Sequence, residues 1–124
     1  MEARSFTDPL TERIIRCIVT VHRTLGPGFL ESVYRNALLI ELRKSGLNVE
    51  HECTVRVFYG GQEVGLHRLD ILVEHRVIVE LKTVDFLAPA HYAQVRSYLK
   101  ATGLKLALLV NFSKERSDFR RIES

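Results

Sequence analysis

The stretch HRLDILVEHRVIVELKTV, residues 67–84, leaves this chain few ways to fold. An apolar run, ILV, leads into a turn near His75, and a second run, VIV, leads out of it. The pair reads as a β-hairpin inside a largely buried sheet. Asp70 sits on the first strand, and Glu80 and Lys82 on the second. Strand side chains alternate faces, so Glu80 and Lys82, at i and i+2, point the same way. Charge on a buried sheet is costly unless it is paired or bound to a metal. Two carboxylates beside a lysine suit a divalent cation next to a phosphate, with the lysine free to meet the phosphate or a water.

Composition narrows the class of protein. The chain has 124 residues, 46% hydrophobic and 27% charged, which reads as one soluble globular domain over 1–124 with a polar tail from about 113. No apolar run reaches the roughly 20 residues of a membrane span. The opening MEARSFTDPL carries no apolar signal region, so a cytoplasmic protein is expected. Cys17 and Cys53 form no CxxC and read as reduced thiols. A net charge of +3 with scattered basic residues permits a polyanionic partner without demanding one.

Helices and strands follow from spacing and breakers. Thr7-Asp8-Pro9 is a helix start, Leu10, Ile14, Ile18 and Leu25 form an apolar stripe, and Gly26-Pro27-Gly28 ends it. A second helix is predicted from about Leu30 to Ser45, with Val33, Ala37, Leu38 and Leu42 inward and Gly46 as its stop. Val49 to Tyr59 alternates, placing Val49, His51, Cys53, Val55, Val57 and Tyr59 on one face, before a Gly60-Gly61 turn. Strands follow over Val64–Val73 and Val77–Val84. A third helix opens at Pro89 or Ala90 and ends at Thr102-Gly103. LALLVNF, Leu106 to Phe112, reads as a central strand covered on both faces, and Arg120 to Ile122 as a short edge strand. The order α-α-β-β-β-α-β gives an α/β fold with a mixed sheet flanked by helices.

Register decides whether the acidic pair can work together. A turn centred on His75 sets Asp70 opposite Glu80 on one face. A two-residue loop at Glu74-His75 would throw Glu80 to the other face, so the site requires an odd-length loop or a bulge.

With these residues in place, the chain resembles the PD-(D/E)XK nuclease superfamily. More narrowly it resembles the small family named for a GxxExxY motif, which here is Gly28-Phe29-Leu30-Glu31-Ser32-Val33-Tyr34. The likeness runs from about Ile14 to Ile122, through HRLDILVEHRVIVELK, HYAQVRSYLKATG, LALLVNF and the terminal RRI. It implies a restriction-endonuclease-like core and roles for matching positions. Asp70, Glu80 and Glu31 would hold Mg²⁺ or Mn²⁺, the backbone carbonyl of Leu81 would complete the shell, and Lys82 would be the catalytic lysine. Gln94 and Tyr98 look like the Q-x-x-x-Y motif of the recombination-exonuclease branch, with His91 one turn earlier. The residue before Asp70 is Leu69, where the superfamily pattern has proline.

Blander roles stand beside these. Glu31 would serve as a first-turn glutamate favoured by the helix dipole. Glu80 and Lys82 would make a solvated pair, Gln94 and Tyr98 would pack across a helix–sheet seam, and His22 would be a satisfied core or capping histidine. His51 and Cys53 on one strand face would donate to zinc, though no second pair has suitable spacing. Gly26-Pro27-Gly28 lacks the lysine and serine or threonine of a P-loop. The expected function is a metal-dependent phosphodiesterase acting on DNA or RNA, with Gln94 positioning a water or phosphate oxygen. Tyr98, Arg96, Lys100, Arg120 and Arg121 would contact the nucleic acid without reading its sequence. The alternative is a nuclease-like fold used as a binding or assembly module. A homodimer or a protein partner would supply recognition surface that so small a core lacks.

Overall fold

Asp8 opens the first helix. Its Oδ1 accepts from the Leu10 amide at 3.1 Å and its Oδ2 from the Thr11 hydroxyl at 3.3 Å, satisfying donors that a helix start leaves free. Helix α1 (Pro9–Leu25) buries Leu10, Ile14 and Ile18 of the expected stripe, with Cys17 and Val21 beside them, while Leu25 at its end is half-buried. Gly26, at φ 69°, takes the chain out of it. The computed structural model describes residues 8–116 and 118–124. Thr7, read as part of the helix start, and the six residues before it lie outside the described residues, as does Ser117 of the polar tail.

Helix α2 (Glu31–Lys44) follows the Gly-Pro-Gly turn. It buries Tyr34, Leu38, Leu39 and Leu42, while Val33 and Ala37, expected inward, are only half-buried. The reason is Tyr34. Its ring stacks on Phe112 at a centroid distance of 4.6 Å, and that contact rotates the helix so that Tyr34 takes the inward position.

Strands β1 (Val49–Tyr59), β2 (Gln62–Val73), β3 (Val77–Lys82), β4 (Leu106–Asn111) and β5 (Asp118–Glu123) form one sheet in the order β1-β2-β3-β4-β5. Among the described residues only β3 and β4 pair in parallel. Helix α3 (Pro89–Thr102) supplies the crossover that a parallel pair needs, and Gly103, left-handed at φ 76°, closes it. Strand β4 is buried along its whole length between β3 and β5, and β5 extends the short edge strand expected at Arg120–Ile122. Helices α1 and α2 cover one face, with Ile71, Val73, Val79, Leu81 and Leu108 beneath them. Helix α3 covers the other, over Leu69, Ile78, Ala107 and Leu109. Among the described residues the result is three helices on a five-stranded mixed sheet. No helix among the described residues is long and apolar enough to cross a membrane.

The expected single face of β1 is corrected by the structure. Val49 packs into the core under α1 and α2, whereas Cys53 and Val55 pack under α3. Glu52, at φ 54°, breaks the alternation between them. The faces therefore switch midway along the strand. His51 pairs with Ile71 on one side and Cys53 with Leu69 on the other, which removes the shared face a zinc pair would need.

Candidate active site

The β2–β3 hairpin turns through Glu74, His75 and Arg76, so Val73 faces Val77 and Ile71 faces Val79. This odd-length loop gives the register that sets Asp70 opposite Glu80. The turn is braced from outside, because Asn48 and Glu74 exchange hydrogen bonds: the Glu74 amide donates to the Asn48 carbonyl at 2.8 Å, and the Asn48 amide to Glu74 Oε2 at 2.7 Å.

Ladder pairing between β2 and β3 stops at Ile71 and Val79. From there β3 continues beside β4, through Glu80↔Leu109 to Lys82↔Asn111. The strands have forked, and side chains take over the bonding. The Leu81 amide donates to Asp70 Oδ2 at 2.9 Å, and the Asp70 amide donates to Glu80 Oε1 at 3.4 Å. Each carboxylate thus stands where a neighbouring strand's carbonyl would otherwise sit. A residue's amide and carbonyl point to the same edge of an extended strand, so the Leu81 carbonyl also faces the fork.

Four further side chains line it. Glu31 begins α2, and Arg35 lies one turn later on the same helix face. Arg35 Nη2 contacts Glu31 Oε2 at 3.2 Å and Asp70 Oδ1 at 3.4 Å, so one nitrogen bridges two acids. From the α3 side, Gln94 Oε1 accepts from Lys82 Nζ at 3.3 Å. Tyr98 packs its ring against His67 at a centroid distance of 4.7 Å. It is 4% exposed, so it forms a wall of the site and offers little surface to a polymer.

The electrostatics follow from burial. Glu80 is 4% exposed, and loss of hydration pushes its carboxyl up to about 8, helped by the neighbouring charge of Asp70 and opposed by Lys82. Burial also raises Glu31, with Asp70 adding to the shift and Lys82 and Arg35 working against it. The Tyr98 phenol is pushed up to about 12 by burial and by the charges of Glu80 and Asp70. Three carboxyl groups thus meet two cations, Lys82 and Arg35, and ionising the third carboxyl, Glu80, is disfavoured.

A divalent cation suits that imbalance and the donor set, which is carboxylate and carbonyl oxygen throughout. As the side chains stand, no three His, Cys, Asp or Glu among the described residues are gathered closely enough to hold an ion together. Arg35 occupies the gap between two of them. The residues fit a metal by chemistry, with Arg35 in the way.

The remaining candidates lie elsewhere. Arg96 and Lys100 are exposed on α3. Arg120 and Arg121 are on β5, two strands from β3, beside Asp118 and Glu123 at 3.2 and 2.8 Å. His91 caps α3 by accepting from the Ala88 amide at 2.9 Å. His22 is buried against Phe112 and bonded to the Lys114 carbonyl. Cys53 meets Glu50 rather than a metal partner, and its thiol is pushed up to about 11 by burial and that carboxylate.

Two residues of the site escaped the sequence reading. Arg35 was signalled only by its i+4 spacing from Glu31. Asn111 was the one polar residue in LALLVNF. It is fully buried, and its Oδ1 accepts from the Val84 amide at 3.1 Å while its Nδ2 donates to the Val84 carbonyl at 2.8 Å. That clamp fixes the chain just beyond Lys82, at the carboxyl ends of two parallel strands, where open α/β sheets commonly bind ligands.

This fold and fork define a nuclease-type architecture. A family model of the PD-(D/E)XK nuclease superfamily matches residues 8–122, and the chain belongs to that superfamily. Its fold is restriction-endonuclease-like. Three chains of solved structures match it. One is the crystal structure of SSO0001, similar at a TM-score of 0.60 and 22% identity over 75% of this chain. The match spans 49% of that protein's length, and at such identity it speaks for the fold alone. No curated protein matches the chain.

Proposed function

We propose that this chain is a metal-dependent phosphodiesterase that cleaves DNA or RNA. The observation that carries the reading is the fork itself, where the Asp70 carboxylate accepts from the Leu81 amide and the Glu80 carboxylate from the Asp70 amide, with Lys82 on the strand of Glu80. Asp70, Glu80 and Glu31, with the Leu81 carbonyl, would hold Mg²⁺ or Mn²⁺. Such an ion, when bound, supplies a water of lowered pKa and neutralises charge on a phosphate. Lys82 stabilises negative charge developing on the phosphate or holds the attacking water by donating to it. Gln94 aims Lys82 through its Oε1, and Asn111 holds the strand end that carries it. Arg96 and Lys100, exposed on the helix beside the fork, suit contacts to the sugar-phosphate backbone.

Membership of the GxxExxY group is supported by the work each motif residue does. Gly28 adopts φ 110°, a conformation that L side chains avoid. Glu31 enters the acidic cluster. The Tyr34 hydroxyl accepts from the Phe29 amide at 3.2 Å and donates to the Gly26 carbonyl, anchoring the turn that delivers Glu31. The two free thiols suit a reducing, cytoplasmic setting. A second copy or a partner protein would extend the binding surface.

The test is cleavage of duplex, single-stranded, flap and RNA substrates with Mg²⁺ or Mn²⁺, run beside Lys82→Ala. Metal-dependent cleavage that the variant lacks supports the reading. Binding without cleavage under every condition would replace it with a binding module.

A further inference from the structure

Arg35 is placed unlike a surface arginine. A single nitrogen, Nη2, touches Glu31 Oε2 at 3.2 Å and Asp70 Oδ1 at 3.4 Å, the position of a small cation shared by two acids. Its side chain is 19% exposed, and its Nε is buried with no hydrogen-bond partner. The contact is end-on rather than the paired fork of a strong arginine–carboxylate bridge. A guanidinium held this way is attracted by the acids without being locked by them. The ammonium of Lys82 donates to Gln94 instead, so Arg35 is the cation in direct contact with both Asp70 and Glu31.

We infer that Arg35 is an internal counter-cation that a divalent metal must displace to bind at Asp70 and Glu31. This rests on the metal-binding reading of the fork. Without metal, the guanidinium offsets part of the carboxylate repulsion and holds both acids against itself. A divalent ion carries twice the charge and takes more oxygen ligands, so it outcompetes the arginine only above a threshold concentration that Arg35 sets. Arg35 is thus a positioning residue for the site, not a ligand.

The experiment is calorimetric titration of Mn²⁺ alone, without nucleic acid, into wild type, Arg35→Gln, Arg35→Lys and Asp70→Asn. Glutamine removes the charge and should tighten Mn²⁺ binding about tenfold, the scale of an ordinary coupling between two linked sites. Lysine keeps the charge and should bind Mn²⁺ about as weakly as wild type, which separates charge from packing. In Asp70→Asn, adding Arg35→Gln should gain little, because one of the competing contacts is gone. In wild type, ¹⁵N spectra should show the Arg35 Nε–H signal moving as diamagnetic Mg²⁺ is added. If Arg35→Gln binds Mn²⁺ equally or more weakly, Arg35 is not a competitor and the inference falls. If no form binds Mn²⁺ at millimolar levels, the inference and the metal reading fall together. If binding depends on Arg35 as described but nothing is cleaved, the inference stands and the phosphodiesterase reading fails.

Discussion

The Leu81 amide donates to Asp70 Oδ2 at 2.9 Å, a bond that a strand carbonyl would accept in an unbroken ladder. Asp70 is therefore both a structural acceptor and a chemical group. Its carboxylate closes the fork in the sheet and leaves Oδ1 for Arg35. This double use separates two substitutions that a purely catalytic aspartate would not.

Asp70→Ala should abolish cleavage and also lower stability by about 1–3 kcal/mol, because the Leu81 amide is left buried without an acceptor. Asp70→Asn should abolish cleavage too, yet keep most of the stability through its amide oxygen. Urea denaturation midpoints of the two variants decide this. An alanine variant as stable as wild type would show that the bond contributes nothing.

Glu80 gives a pH prediction of definite sign. Its folded carboxyl is pushed up to about 8 from an ordinary value of 4.5. As pH rises across that window, the unfolded chain releases the proton first and the folded chain must surrender it at a cost. Stability from this group is intact below the lower value and is lost as pH passes the upper one. In EDTA, Glu80→Gln should thus gain several degrees of thermal midpoint over wild type at about pH 8.5, and little or nothing at about pH 5. Parallel curves for the two proteins would contradict the burial of this charge.

Much of this architecture is legible in the residues. The breakers Gly26, Gly46, Gly60-Gly61 and Gly103 lie where the chain turns, each at positive φ. LALLVNF, apolar but for Asn111, carries the buried β4 strand. The register of the acidic hairpin is legible only as a requirement, that the site needs an odd loop or a bulge, and the three-residue turn over 74–76 meets it. What stays hidden depends on contacts distant in sequence. Arg35 meets Asp70 from a helix whose next-door residue, Tyr34, turns inward to stack on Phe112. The face switch at Glu52 has no glycine to announce it; the chain accepts a rare backbone conformation at an ordinary residue so that both sides of the twisted hairpin find a core. Asn111 reads as a stray polar residue until the chain after Lys82 folds back onto it.

Tyr34→Phe removes one hydroxyl and two bonds at once. The Phe29 amide loses its acceptor and the Gly26 carbonyl its donor, while the ring keeps its stack on Phe112. We expect a loss of about 1–2 kcal/mol in stability. Amide hydrogen exchange should rise in the turn over residues 26–30 and stay unchanged in β4. Protection that is unaltered in the turn would show that the hydroxyl does not hold it.

Lys82 should separate chemistry from folding. It is half-buried at the end of β3, and its ammonium meets a side chain, Gln94, rather than the backbone. Lys82→Ala should therefore shift stability by no more than about 0.5 kcal/mol. If the lysine stabilises charge that develops only during reaction, its loss should lower the cleavage rate by about 10²–10³. Gln94→Ala leaves that charge in place and removes only its tether, a net hydrogen bond of about 1 kcal/mol, so the loss should be about 5–10-fold. The order of the two effects matters more than either size. Single-turnover rates for wild type, Gln94→Ala and Lys82→Ala should fall in that sequence, with unfolding midpoints nearly equal. A Gln94 variant slower than the Lys82 variant would mean that glutamine touches the substrate itself and that lysine is its support.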